Sequence, residues 1–125
     1  MLDVNQLSTF VQNTIDNLHY SEETESLYAP VKYIMSLGGK RLRPLLALLS
    51  YNMFNEKIDN NILYPAVGIE LFHNYTLIHD DLPCMDNDDY RRGKPTNHKV
   101  YGEGNALLTG DALLTYAFEV LSSNQ

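Results

Sequence analysis

Apolar side chains recur at helical spacing from the start of the chain. Leu7, Phe10, Val11, Ile15 and Leu18 predict an amphipathic helix over residues 3–19. A polar break at Ser21–Thr24 precedes a second helix over about residues 26–37, which Gly38-Gly39 ends. Its Pro30 fits only a first turn, which moves the expected start toward Ala29. Pro44 opens a third helix, PLLALLSYNMF, apolar nearly all round and so expected at the centre. A fourth starts near Pro65 and runs through AVGIELFHNYTLIHDD. From Leu82 to Gly104 no apolar period is sustained, and prolines and glycines punctuate the stretch. So long a loop in a compact domain is usually functional or disordered. The last segment, NALLTGDALLTYAFEVLSSNQ, is again helical, and no strand pattern is apparent. The expectation is one all-α domain or part of one.

Composition adds little to this, and charge adds more. With 125 residues, 44% hydrophobic and 20% charged, the chain has the make-up of an ordinary globular protein. No apolar run approaches the roughly 18–20 residues that span a bilayer. The acidic, amphipathic start lacks the features of a signal peptide. Cys84 is the single cysteine, which fits a reducing, cytoplasmic setting. A net charge of -7 opposes non-specific binding to nucleic acid or anionic membranes. Five of the 16 acidic residues fall between Asp80 and Asp89, while Lys40, Arg41 and Arg43 form one basic cluster and Arg91, Arg92 and Lys94 another. Separated clusters of opposite sign suit a site that handles both metal ions and phosphates.

In HDDLPCMDNDDYRRGKPTNH, Asp80 and Asp81 end a strongly apolar helix and Asp86 follows a short insert. Carboxylates there face the negative end of the helix dipole, at about 0.3–1 kcal/mol each, so a compensating cation is expected. Mg²⁺ takes hard oxygen ligands and commonly combines one or two carboxylates with substrate phosphates. A calcium loop is excluded, because the sixth position from Asp86 is Arg91 and the twelfth is Asn97. Read alone, the run is a solvated acidic loop. Arg91 and Arg92 beside it have the planar fork that clamps phosphate. GGKRLRP, residues 38–44, places three cations between two helices; it is not a P-loop, and alone it reads as a solvated turn. His73, seven residues before Asp80, points roughly the same way about 10 Å along the helix.

Together, GGKRLRP, then LFHNYTLIHDDLPCMDNDDYRRGKPTNH, then GDALLTYAF resemble the trans-isoprenyl diphosphate synthases in order and spacing, over about residues 27–121. The resemblance is closest to bacterial farnesyl diphosphate synthases. It implies an all-α, homodimeric enzyme that joins an allylic diphosphate to isopentenyl diphosphate with Mg²⁺. Under it, Asp80, Asp81 and Asp86 match the metal-binding aspartates, with Asp80 and Asp86 the firmer matches. Arg91 matches the arginine on the allylic diphosphate, and Lys40, Arg43, His73 and Arg92 match the residues that hold isopentenyl diphosphate. A bulky side chain four or five residues before Asp80 lies about 6–7.5 Å below it and limits product length. Helix geometry favours Thr76 and the family pattern Tyr75, whose aromatic ring goes with the C15 product.

Members of that family are roughly twice as long, with a second aspartate-rich motif in the C-terminal half that is absent here. The expectation is the N-terminal portion of one synthase domain, inactive by itself. Asp111 reads as a lone helix carboxylate with a structural role. The alternatives are a geranylgeranyl diphosphate synthase, a non-catalytic partner subunit of such a synthase, and a terpene cyclase. A cyclase has no second diphosphate to hold, which the basic residues argue against.

Overall fold

The computed structural model describes residues 1–123, and its regular elements are almost all helical. In chain order they are α1 (Val4–Asp16), α2 (Glu25–Ser36), α3 (Leu42–Asn52), α4 (Asn60–Asp80), β1 (Tyr90–Arg91), β2 (Lys94–Pro95), α5 (Asn97–Tyr101) and α6 (Glu103–Leu121). The all-α expectation holds. The strandless expectation fails at one two-residue hairpin, too short to carry an alternating pattern.

Local chemistry sets the helix ends. Asp3 accepts from Gln6 N at 2.8 Å while Gln6 Oε1 accepts from Asp3 N at 3.0 Å, a reciprocal box that starts α1. Leu7, Val11 and Ile15 form its buried stripe, whereas Phe10 stays 38% exposed, off that i, i+4 line. Both inner prolines lie deeper in their helices than expected, because each helix begins earlier. Pro30 is the sixth residue of α2 and leaves the Ser26 carbonyl without its helical donor. Asn105 Nδ2 of α6 donates to that carbonyl at 3.1 Å, so a distant residue compensates the defect. Pro65 is likewise sixth in α4, whose start at Asn60 is fixed by Asp59 accepting from Asn61 N at 3.1 Å. The carbonyl that Pro65 orphans belongs to Asn61, an exposed residue that water reaches. Pro44 sits in the first turn of α3, as expected.

One hydrophobic cluster runs from Leu7 to Val120 and draws on α1, α2, α3, α4 and α6. Its spine is the long α4–α6 contact, the most extensive in the molecule. Small residues permit that approach. A Cβ on Gly68 would come within 2.7 Å of Leu121 Cγ, and one on Gly110 would clash with the edge of the His79 ring. His79 Nε2 meets Leu107 O at 2.9 Å and stands 3.7 Å from Asp111 Oδ1, so Asp111 faces α4. No described helix is long and apolar enough to cross a membrane.

Candidate active site

The residues between α4 and α6 fold back onto the end of α4. Asp86 N donates to Asp80 O at 2.8 Å, Asn87 N to Leu82 O at 3.0 Å, and Asp88 N to Asp81 O at 3.1 Å. These bonds cap carbonyls that the helix end leaves open, and they return Asp86 to the side of Asp80. The chain then enters the hairpin, whose turn is Arg92-Gly93 with φ of 52° and 77°. Two positive φ values make a turn of the mirror-image type that matches strand twist. Gly93 adopts it freely, while Arg92 does so against a steric cost on the order of 1 kcal/mol. Thr96 ties the hairpin back through its Oγ1 to Asp88 O at 2.8 Å, Tyr33 Oη donates to Pro95 O at 2.6 Å, and Asn97 Nδ2 donates to Pro30 O at 2.9 Å. The expected loop is therefore an anchored platform.

The platform separates the two arginines. Arg91 lies along β1 and grips Asp81 with a fork, Nε to Oδ2 at 2.7 Å and Nη2 to Oδ1 at 2.8 Å. Asp81 is 1% exposed, and its hydrogen bond to Arg91 is the largest influence holding that guanidinium above its ordinary pKa. No salt bridge among the described residues engages Asp80 or Asp86. Arg92, one residue on, turns the other way. Its Nη1 donates to Gly38 O at 2.5 Å and reaches Asn74 Oδ1 at 3.5 Å, and its guanidinium lies flat over Gly39. Gly39 has φ 123°, which demands glycine there, and a Cβ would stand 2.9 Å from Arg92 Cζ and push the guanidinium aside.

Arg92, Lys40, Arg43 and His73 line one open cavity of about 460 Å³, together with Gly39, Arg41, Leu42 and Glu70. All four residues that the resemblance matches to a second diphosphate thus line one basin. Burial lowers the His73 pKa first; Arg43 lowers it further, Glu70 opposes, and Arg92 and Arg91 add smaller decreases. These influences favour the neutral imidazole. In a proton NMR titration its ring should titrate below 6.5, move up on adding diphosphate, and move up in Arg43→Ala. A free-protein value at or above 6.5 contradicts this placement.

Below the basin a smaller cavity of about 250 Å³ is lined by Arg43, Ile69, Phe72, His73 and Thr76. Thr76 faces this space. Tyr75 packs edge-on against Phe72 at 4.8 Å and against His79 at 5.7 Å, on the side of α4 toward α6. Phe72, a full turn before Thr76, belongs to this wall, and sequence reasoning passed over it. Glu70 and Asn74 were passed over too; their i, i+4 spacing on an apolar helix was the available signal. For a metal, the donors on offer are hard oxygens. Among the described residues no three His, Cys, Asp or Glu side chains cluster tightly enough to hold a cation alone. Carboxylate oxygens of the kind Asp80 and Asp86 carry are the hard ligands that Mg²⁺ takes.

The Polyprenyl synthetase family model matches residues 24–125. The chain belongs to that family. Farnesyl diphosphate synthase of Bacillus subtilis is 46% identical over 129 residues, covering 96% of this chain and 43% of that protein. A chloroplastic geranylgeranyl pyrophosphate synthase of Capsicum annuum is 44% identical over 116 residues, covering 93% of this chain and 31% of that protein. Among solved structures, the geranyltranstransferase of Thermotoga maritima superposes with a TM-score of 0.83 at 40% identity, covering 95% of this chain and 44% of that one. The chain thus spans less than half the length of these polyprenyl synthetase relatives.

Proposed function

We propose that the full-length protein is a Mg²⁺-dependent prenyltransferase that condenses an allylic diphosphate, dimethylallyl or geranyl, with isopentenyl diphosphate to give farnesyl diphosphate. The observation that carries the reading is the division of the arginine pair. Arg91 is bonded to Asp81 and Arg92 shares a cavity with Lys40, Arg43 and His73, a division that supports two anion sites, one for each diphosphate. A single-diphosphate enzyme such as a terpene cyclase has no use for the second.

In this reading Asp80 and Asp86, with Asp81 close behind, hold Mg²⁺ against the allylic diphosphate. Bound there, the metal supplies positive charge to the leaving diphosphate. Arg91, oriented by Asp81, adds charge where the departing oxygens develop it. Breaking the allylic C–O bond leaves an allylic cation. The double bond of isopentenyl diphosphate, held in the basin by Arg92, Lys40, Arg43 and His73, attacks it to form the new C–C bond. A proton then leaves for the departed diphosphate and an alkene is restored. The apolar wall of Ile69 and Phe72 keeps water from the cation. A homodimer in the cytoplasm belongs to the same reading.

The test separates the sites. In the full-length protein, Arg92→Ala and Lys40→Ala should raise KM for isopentenyl diphosphate about tenfold or more and leave the allylic KM within twofold. Arg91→Ala should do the reverse, each lost charge-assisted contact being worth roughly 1.5–3 kcal/mol. Arg92→Lys should recover only part, because an ammonium lacks the fork. Equal rises in both KM values would point to a shared structural role.

Product length is the finer proposal, and the second reading is a geranylgeranyl diphosphate synthase, which the Capsicum annuum relative favours. Tyr75, with Thr76 beside it, favours C15. Incubated with geranyl and isopentenyl diphosphates, the wild type should make mainly C15 and Tyr75→Ala should add longer products. Mainly C20 from the wild type, or an unchanged C15 product from the variant, removes Tyr75 as the floor.

A further inference from the structure

One face of α4 and its C-terminal cap presents three buried polar residues in line, Glu70, Asn74 and Asp81, and each meets a different arginine. Asp81 takes Arg91 and Asn74 meets Arg92, both described above. Glu70 takes Arg41, its Oε1 lying 3.2 Å from Arg41 Nη1. The same Oε1 accepts from Asn74 Nδ2 at 3.2 Å. Glu70 is 2% exposed and Asn74 is fully buried. Arg41 is also buried, in the left-handed conformation at φ 49°, and it donates from Nη2 to Met35 O at 2.7 Å. Arg41 is flanked by Lys40 and two residues from Arg43, the cations of the loop. A carboxylate lining a cavity meant for a diphosphate repels that ligand, so its presence needs a reason.

We propose that Glu70 is a positioning residue of the isopentenyl diphosphate site: one buried carboxylate holds Arg41 in the loop and Asn74 on its own helix, and so fixes Lys40 and Arg43 relative to Arg92. The inference rests on the functional reading above and deepens it. Without Glu70, Arg41 has no anionic partner among the described residues and the loop around it loses its anchor on α4. Asn74 keeps its 2.8 Å bond to the Glu70 backbone carbonyl but loses the second acceptor, the carboxylate oxygen at 3.2 Å, that helps to aim its amide toward Arg92. The cations would then face the diphosphate singly instead of as one preset cradle.

Simple electrostatics and positioning give opposite signs, which makes the test sharp. In the full-length enzyme, Glu70→Gln removes the repelling charge and keeps the side chain's length. Positioning requires KM for isopentenyl diphosphate to rise about tenfold, with the allylic KM within twofold. Glu70→Asp keeps the charge but withdraws it by one methylene, and it should raise the same KM. A fall in that KM for Glu70→Gln, or equal rises in both KM values with a lowered Tm, overturns the proposal. Should Glu70 variants fail to fold, Asn74→Ala leaves the Arg41–Glu70 pair in place and should still raise the isopentenyl diphosphate KM about threefold; an unchanged value overturns it. A wild-type enzyme that makes no prenyl product would instead refute the functional reading, and this inference with it.

Discussion

Replacing Asp80 with Ala in the full-length protein is expected to lower kcat by about a thousandfold or more, with the fold intact. The structure concentrates that expectation on Asp80 and Asp86. The Asp81 carboxylate is already engaged at both oxygens by Arg91, whereas Asp80 stands at the rim, half-buried, with Asp86 drawn beside it by a backbone hydrogen bond. Losing a single contact that stabilises a leaving oxyanion costs about 10²–10³ in rate, and losing a metal ligand adds to that. Asp81→Ala should also abolish most turnover, by a different route. Arg91 would lose its fork, so the allylic KM should rise along with the fall in kcat. Steady-state kinetics with excess Mg²⁺ and circular dichroism of each variant distinguish these outcomes. Near-normal kcat for Asp80→Ala removes the aspartates from the chemistry.

The candidate site was legible in the sequence largely because its residue types are unusual. Aspartates at a helix C-terminus and arginine pairs after a turn have few structural uses, so Asp80, Asp81, Asp86, Arg91 and Arg92 stand out against an apolar background. The fold was legible where a stripe is clean, as in Leu7, Val11 and Ile15. Legibility ended where long-range contacts decide the local structure. Pro30 reads as a helix start, yet Asn105, far along the chain, satisfies the carbonyl that Pro30 orphans and lets α2 begin at Glu25. The hairpin at Tyr90–Pro95 rests on Arg92 adopting a positive φ, which no propensity favours for arginine. Glu70 and Asn74 read as polar interruptions of an apolar helix until their partners, Arg41 and Arg92, are placed beside them.

The least legible residue is Arg41, which sits in a basic run and reads as one more cation on a solvated turn. It is instead 8% exposed and closes the interior over Glu70. Arg41→Met keeps much of the volume and removes the charge, leaving Glu70 buried without its ionic partner. Breaking a buried pair in this way costs about 3–5 kcal/mol, since the remaining carboxylate has been stripped of water. A fall in Tm on the order of 10 °C is therefore expected. Two further variants isolate the cause. Arg41→Gly relieves the left-handed backbone at φ 49°. It should nevertheless be destabilised, because the strain regained, roughly 1 kcal/mol, is smaller than the pair energy lost. Arg41→Met combined with Glu70→Leu replaces both charges by apolar groups, and most of the lost stability should return, as it does when no buried charge is left unpaired. Thermal unfolding of the three full-length variants reads the result directly. Single and double variants that melt alike would mean that the Arg41–Glu70 pair contributes through its shape alone, and a wild-type Tm for Arg41→Met would mean that it contributes nothing.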